Sequence, residues 1–157
     1  MKKVLKIVVV GLFVGLIAIQ FVRPAQTNPP IVVEQTLEAT TQVPEEVQKI
    51  FARSCNDCHT NNTVYPWYAK IQPSGWFLAN HIEDGRRHLN FSEWTTYETR
   101  RKHKKLDEIC EQVQAGEMPL PSYLWIHGSA KLTEAEIKTV CDWTDAERAR
   151  MENSEVK

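Results

Sequence analysis

Three patterns that would each place this chain in a broad class are missing from its sequence. Lys and Arg total 19 and Asp and Glu total 20, so the formal net charge of −1 gives no overall attraction to nucleic acid or to a membrane surface. No segment alternates apolar and polar residues for long, so no β-strand is predicted. No internal repeat is present, which excludes a repeat architecture. Cysteine and methionine are scarce, at four and three residues, so each of their positions can be weighed individually.

An apolar stretch near the N-terminus is the first positive feature. Residues 7–22 carry no charge, and Lys6 can extend the span by snorkelling. A helix that crosses a bilayer needs about 20 mostly apolar residues, so we expect a membrane anchor within residues 1–23. The alternative is a cleaved signal peptide, for which Ala25-Gln26-Thr27 is the one candidate cleavage site.

The charges around this stretch predict its orientation. Lys2, Lys3 and Lys6 precede it and only Arg23 follows it, which places the N-terminus in the cytoplasm by the positive-inside rule. The expected location is therefore the bacterial cytoplasmic membrane, crossed once, with the rest of the chain facing the periplasm.

The remainder of the chain divides into a linker and a helical domain. Residues 24–43 begin with three prolines in seven positions, a composition typical of a semi-rigid extended spacer. Pro44 and the two glutamates after it mark a helix N-terminus, and residues 44–150 form the predicted all-α domain. Further helices are predicted at residues 74–84, residues 104–115, and from Thr133, which forms a capping box with Glu136.

The run Cys55-Asn56-Asp57-Cys58-His59 has the CxxCH spacing of c-type haem attachment. On one helical turn, two thiols at this spacing can add to the two vinyl groups of a haem while the histidine ligates the iron. The motif therefore predicts one covalently bound haem c per chain, held by Cys55, Cys58 and His59. Thioether-linked haem is assembled outside the cytoplasm, which agrees with the predicted export.

Two other functions fit the cysteine spacing less well. A dithiol redox pair is expected in a βαβ context, for which the sequence gives no sign. A zinc site of four thiolates usually has two closely spaced pairs, whereas Cys110 and Cys141 are 31 residues apart. A zinc-bound or purely structural domain is kept as an alternative.

Met118 is the candidate for the second iron ligand. It is the only methionine between the haem motif and the predicted final helix, in a loop with Gly116 before it and Pro119 after it. A thioether opposite a histidine favours ferrous iron and raises the reduction potential. A methionine that only fills the core is the alternative. Four histidines are rival ligands: His81, His88, His103 and His127.

Several short motifs give the sequence a family resemblance. Phe51 before CxxCH, a methionine-bearing loop and an aromatic in the last helix resemble class I cytochrome c. More narrowly, a set of segments resembles the bacterial haem-binding-domain family over about residues 45–145. These segments are Tyr65-Pro66-Trp67-Tyr68, Gln72-Pro73-Ser74-Gly75-Trp76, His81-Ile82, Gly85-Arg86-Arg87-His88-Leu89-Asn90-Phe91-Ser92, Gly116-Glu117-Met118-Pro119-Leu120, and Tyr123 with His127.

The resemblance implies a cytochrome c-like helical domain folded around the haem. In such a fold the first and last helices of the domain cross, and here Phe51 would meet Trp143. It also implies His59 and Met118 as the two iron ligands. The sequence departs from the classical pattern at Val47, where a glycine usually lets those helices approach closely.

Other residues are candidates for contacts to the haem periphery. Arg86 and Arg87 can form charge-assisted hydrogen bonds to the propionates, and Trp67 and Trp76 can donate through their indole N–H groups. Solvated arginines are the alternative. We expect the far nitrogen of His59 to donate to a backbone carbonyl near Pro66 or Pro73, as such ligands usually do.

Two more features leave alternatives open. Cys110 and Cys141 lie on the apolar faces of their helices and are either bridged, as an oxidising compartment allows, or buried as free thiols. The cationic run Arg100-Arg101-Lys102-Lys104-Lys105 is either a docking patch for an acidic redox partner or a solvated helix start.

The expected function is one-electron transfer rather than catalysis, because no catalytic acid, base or nucleophile is evident. Its partners would be redox proteins of a membrane or periplasmic electron-transfer chain. The alternative is a haem enzyme or sensor, peroxidase-like or gas-binding, in which Met118 is absent from the iron or easily displaced.

Overall fold

The computed structural model describes residues 1–155. Within that range the chain forms α-helices and short 3₁₀ turns and no β-strand, so the predicted all-α class is confirmed. The α-helices are α1 (Lys2–Ile19), α2 (Leu37–Thr40), α3 (Glu45–Ser54), α4 (Asn56–His59), α5 (Ser74–His88), α6 (Thr99–Gln114), α7 (Pro121–Leu124) and α8 (Glu134–Glu155). The 3₁₀ turns are Val33–Gln35, Trp67–Lys70, Phe91–Thr96 and Gly128–Ala130.

The N-terminal helix differs from the sequence prediction. Helix α1 ends at Ile19 and includes three lysines in its first five residues, which leaves residues 7–19 as its uncharged part. At 1.5 Å per residue these extend about 20 Å, whereas the hydrocarbon core of a bilayer is about 30 Å thick. Among the described residues, no helix is long and apolar enough to cross a membrane. The predicted membrane anchor, and the single-pass location inferred from it, are therefore wrong.

The centre of the core is the contact between α3 and α8. The rings of Phe51 and Trp143 meet edge to face at 5.4 Å between centroids, which confirms the expected contact. Phe91 also stacks on Phe51, at 5.0 Å between ring centroids. Val47, in place of the usual glycine, is 1% exposed, so its side chain is part of this core.

Helices α6 and α8 pack along much of their length and are joined covalently. Cys110 and Cys141 form a disulfide, which decides between the two alternatives left open by the sequence. Leu106, Ile109 and Val113 of α6 and Val140 of α8 belong to the same buried cluster as Phe51. The bridge therefore ties the helix that follows the site to the helix that crosses α3.

The segment before α3 is attached to the domain. We call residues 20–30 the N-terminal strap. Gln20 exchanges two side-chain hydrogen bonds with the backbone of Gln72, at 2.9 and 3.0 Å. Asn28 likewise exchanges two with the backbone of Thr63, at 3.0 and 3.2 Å. Further along, Leu37 of α2 is fully buried, so the chain between the strap and α3 contributes to the core.

Two helix boundaries differ from the prediction. Helix α5 continues through Gly85 to His88, and α6 begins at Thr99 rather than near residue 104. Gly116 has a φ of 69° and ends α6 as expected. The capping box is also confirmed, because the Thr133 amide donates to Glu136 Oε2 at 2.9 Å and the Glu136 amide donates back to Thr133 Oγ1 at 3.2 Å.

Candidate functional site

The CxxCH run lies at the junction of two helices. Helix α3 ends at Ser54, Cys55 interrupts it with φ −127° and ψ −42°, and α4 then carries the remaining motif residues. Helix α5 packs against this turn. A Cβ placed on Gly85 would lie 2.7 Å from the carbonyl oxygen of Cys58, so only glycine allows this approach. The two helices together form one wall of a cavity.

This cavity has a volume of about 760 Å³ and brings the sequence-predicted ligands together. Cys55, Cys58, His59 and Met118 all line it. Its apolar walls come from α3, α6, α8 and the loop after α6, through Ile50, Phe51, Ile109, Val113, Leu120 and Val140. The volume lies in the range of small-molecule and cofactor sites.

The two motif thiols are held in their neutral form. Burial, and then the neighbouring Cys58, raise the pKa of Cys55 from 9.0 to about 12. Burial, and then Asp57, raise the pKa of Cys58 from 9.0 to about 11. Neither thiol is therefore a thiolate near neutral pH, whereas the attacking cysteine of a dithiol redox pair usually has a lowered pKa.

His59 is oriented by a backbone carbonyl. Its Nδ1 lies 2.9 Å from the oxygen of Leu89, and because a carbonyl only accepts, Nδ1 carries the proton and Nε2 is left as the free lone pair. Burial is the main cause that lowers the pKa of His59, so its imidazole is neutral and suited to an iron ligand. The carbonyl comes from the end of α5, not from near Pro66 or Pro73 as expected, because α5 extends one turn further than predicted.

The loop that carries Met118 is fixed at both ends. Its amide donates to the carbonyl of Gln112 at 3.2 Å, and the side chain packs partly buried against the core cluster. After the loop, Tyr123 of α7 donates from its hydroxyl to Asp57 Oδ2 at 3.1 Å. Burial, with the charge of Asp57, raises the pKa of Tyr123, so this donor keeps its proton. The methionine loop is thus tied directly to the CxxCH motif.

The rival histidines divide into two groups. His81 and His88 lie on α5 and line the cavity. His127 Nε2 and the Tyr68 hydroxyl share a hydrogen bond of 2.8 Å, and the His127 ring stacks on Tyr123 with 4.2 Å between centroids. His103 lies 3.9 Å from Glu152. The cavity therefore offers two histidines besides His59 as alternatives to Met118.

The four predicted contacts to the haem periphery lie outside the cavity lining. Arg86 donates instead to Asn28, Thr60 and Thr63, and its neighbour Arg87 pairs with Asp84. The indole of Trp76 donates to the carbonyl of Val22 at 2.7 Å. Trp67 is 70% exposed. None of the four lines the cavity among the residues described.

Two residues of the cationic run were not predicted to belong to the site. Lys104 and Lys105 line the cavity together with Glu108. The Lys105 side chain is only 14% exposed, and its ammonium lies 2.5 Å from Glu108 Oε2. The cationic run is therefore not uniformly solvated. Helical spacing from Lys105 to the buried Ile109 is the signal that could have placed it on the inner face.

The zinc alternative does not fit the cysteines of this structure. Cys110 and Cys141 are joined to each other and offer no thiolates. In the part of the chain that the structure describes, no group of three or more His, Cys, Asp or Glu side chains could hold a metal ion.

Comparison with known proteins identifies the family. The model of the haem-binding-domain family matches residues 14–146, which is most of the chain. No curated protein and no solved structure matches the sequence. The match includes CxxCH, the cavity-lining helices and the methionine loop. The cavity, the neutral thiols and the oriented imidazole are consistent with a haem site, and the chain belongs to the haem-binding-domain family.

Proposed function

We propose that this domain binds its haem covalently through Cys55 and Cys58, ligates the iron through His59 and Met118, and transfers single electrons. The observation that carries the proposal is the convergence of these four side chains on one cavity of about 760 Å³. They come from two parts of the chain, the CxxCH turn and the loop after α6.

The protonation states of the site agree with covalent attachment. When a cysteine adds across a vinyl group, its sulfur bonds one vinyl carbon, the other carbon takes the proton, and the product is an uncharged thioether. Burial of Cys55 and Cys58 after attachment therefore costs less than burial of two thiolates. The neutral His59 imidazole, with Nδ1 bonded to Leu89, keeps a lone pair on Nε2 with which to ligate iron. A disulfide elsewhere in the domain leaves the two motif cysteines free for attachment.

The roles of the residues follow from their positions. Haem, when bound, supplies an iron centre that changes oxidation state by one electron. Phe51, Leu120 and Val140 exclude water from the site, and Lys104 and Lys105 provide cationic groups at the wall that could pair with carboxylates of the ligand. We expect no catalytic acid, base or nucleophile to be required, so the proposal is of a carrier that exchanges electrons with redox partner proteins.

Mass spectrometry tests the covalent bonds. Protein produced with a working haem-maturation system should carry one added tetrapyrrole per chain, and the double variant with Cys55→Ala and Cys58→Ala should carry none. An unmodified wild-type chain that still folds tightly would reject the proposal.

Spectroscopy tests the second ligand. Met118→Ala should lose the ferric methionine–iron charge-transfer band, whereas Met151→Ala should retain it, because Met151 is buried in the core and does not line the cavity. Survival of the band in Met118→Ala would show that the assignment of the ligand is wrong.

A haem enzyme or sensor is the second candidate, and the presence of His81 and His88 in the cavity lining is what favours it. It requires an iron position that an external molecule can reach. Ferrous protein that binds carbon monoxide rapidly would support this function, and a spectrum unchanged by carbon monoxide would support the carrier.

A further inference from the structure

Four aromatic rings connect the wall of the haem cavity to the surface of the protein. We call them the ring chain, and from the cavity outwards they are Tyr123, His127, Tyr68 and Trp67. Tyr123, like Cys58, lines the cavity. At the other end, the Trp67 side chain is 70% exposed. The ring chain therefore extends from the haem site to solvent.

Each ring of the chain contacts the next. The rings of Tyr123 and His127 are stacked, with 4.2 Å between centroids and 8° between planes. The His127 ring meets that of Tyr68 at 5.9 Å, and Tyr68 meets Trp67 edge to face at 5.8 Å. Aromatic rings in contact have centroids up to about 7 Å apart, so no gap separates the neighbours. Because electrons tunnel more readily across rings in contact than across a gap, the chain is a continuous path.

Tyr68 also has a proton acceptor at hydrogen-bond distance. Its hydroxyl lies 2.8 Å from Nε2 of His127. Burial is the main cause that raises the pKa of Tyr68, so the phenol keeps its proton near neutral pH. With the His127 proton on Nδ1, the phenol donates to Nε2. A phenol that loses an electron becomes a strong acid, and Nε2 is placed to take the proton that it releases.

We propose that Tyr68 is a redox-active tyrosine, which supplies electrons to the haem site through the ring chain and is restored by Trp67. Phenol and indole rings are hard to oxidise, so ordinary exchange of electrons with redox partners leaves them intact. Hydrogen peroxide that reacts at the iron is an oxidant strong enough to oxidise them. The ring chain then carries its oxidising equivalents to the surface and protects the haem. This inference rests on the proposed function, because the haem must be bound.

The electrons and protons of the reaction balance. Reduction of hydrogen peroxide to two waters takes up two electrons and two protons. Tyr68 gives an electron through Tyr123 while its proton moves to Nε2 of His127, and an electron from Trp67 then restores Tyr68, which takes the proton back. After two such rounds the indole has lost two electrons, and it adds one water and releases two protons. The sum is Trp67 plus hydrogen peroxide giving hydroxylated Trp67 plus water.

The test treats the full-length, haem-loaded protein with hydrogen peroxide in oxygen-free water enriched in heavy oxygen, followed by peptide mass spectrometry. The wild type is compared with Met118→Ala, in which loss of the proposed ligand opens the iron to peroxide. We expect Trp67 to gain one oxygen atom that comes from water, and to gain it faster in Met118→Ala. Trp125 is 85% exposed and is not part of the ring chain, so it should stay unmodified.

Two variants interrupt the ring chain at its centre. Tyr68→Phe keeps the ring and removes the phenolic proton, whereas His127→Phe keeps a ring in the stack and removes Nε2. Both should lose most of the oxidation of Trp67, counted per covalent haem so that poor loading is not mistaken for this loss. Their haem should also bleach faster in peroxide. Tyr65→Phe is the control, because Tyr65 lies outside the ring chain.

Four results would overturn the proposal. These are a haem-loaded Met118→Ala chain without oxidised Trp67, equal oxidation of Trp67 in Tyr68→Phe and Tyr65→Phe, equal oxidation of Trp67 and Trp125, or an added oxygen that comes from peroxide. The mass of the intact chain reports separately on the proposed function. A chain with covalent haem and no oxidised Trp67 rejects the role of the ring chain alone, whereas a chain without haem rejects both.

Discussion

Tyr123 and Asp57 are 66 positions apart in sequence and joined by a hydrogen bond of 3.1 Å from the phenol to the carboxylate. Asp57 stands between the two motif cysteines, and Tyr123 follows the methionine loop. The other carboxylate oxygen of Asp57 accepts from the amide of Val64 at 3.2 Å. Asp57 therefore connects the haem motif to two loops at once.

Tyr123→Phe should loosen the methionine loop without disturbing the ring stack on His127. We expect a loss of about 1.5–3 kcal/mol in the free energy of unfolding, since the acceptor is charged, together with a weaker methionine–iron band. Denaturant titration and absorption spectra measure both. Tyr65→Phe is the control, because its hydroxyl bonds only the carbonyl of Thr27 in the strap. Equal stability and spectra in the two variants would contradict this role.

Gly85→Ala should disturb the haem site, although Gly85 lines the cavity without being one of the predicted ligands. The added Cβ would lie 2.7 Å from the backbone oxygen of Cys58, so α5 or α4 must shift, at a cost of about 1–3 kcal/mol. Haem incorporation, measured by absorbance per chain, should fall. Gly128→Ala should have no such effect, because a Cβ there meets nothing within 4 Å.

Arg86→Ala tests whether this side chain holds the strap or contacts the haem periphery. Its guanidinium bonds Asn28, Thr60 and Thr63, so its loss should free residues 20–30 for proteolytic cleavage and lower stability by about 2 kcal/mol. The haem spectrum should not change. Arg87→Ala removes only an exposed ion pair with Asp84 and should cost less than about 1 kcal/mol. A haem spectrum altered by Arg86→Ala alone would instead favour the predicted propionate contact.

Reduction of the Cys110–Cys141 bridge should destabilise the domain by about 3–4 kcal/mol. The two cysteines are 31 positions apart, and without the bridge the loop between them gains conformational entropy in the unfolded chain. The denaturant midpoint for unfolding of the wild type should therefore fall on addition of a reductant. The double variant with Cys110→Ser and Cys141→Ser should show no such shift, while haem attachment at Cys55 and Cys58 persists in both. A wild-type midpoint unchanged by reductant would contradict the prediction.

Glu136 should make the free energy of unfolding decrease as the pH falls in the acidic range. Hydrogen bonds from the Thr133 backbone, and then from Arg53 and the Thr133 side chain, lower the pKa of Glu136 in the folded protein. Its contribution is present above its ordinary pKa and is lost as pH falls through the folded value, because protonation removes the negative charge that strengthens these hydrogen bonds. Glu136→Gln should flatten the pH dependence below pH 5 by about 1 kcal/mol, and Glu134→Gln, exposed in the same turn, should leave it unchanged.

Much of the site was predictable because its signals are local. The CxxCH spacing, the single methionine of the following loop and the capping box at Thr133 each depend on a few neighbouring residues. The contact of Phe51 with Trp143 followed from the family resemblance. The two inner cysteines were placed on the correct faces by helical periodicity, although only the structure shows that they are bridged.

The remaining features depend on partners distant in sequence. Local composition predicted that residues 24–43 form a spacer, but proline and polar residues do not reveal that Asn28 and Gln20 find backbone partners at Thr63 and Gln72. Local composition also assigned Gly85 to a helix end. In the structure Gly85 lies inside α5, where the Cys58 carbonyl approaches so closely that only glycine fits.

The sequence by itself determined the helical class and the CxxCH motif, since spacing along one chain is enough to set two thiols and an imidazole on one turn. Tertiary structure alone decided which carbonyl orients His59, which cations reach the cavity and which rings connect Tyr123 to the surface. These features depend on how the helices pack. Packing brings together groups that are distant in sequence, and the residues around each group do not indicate its partner.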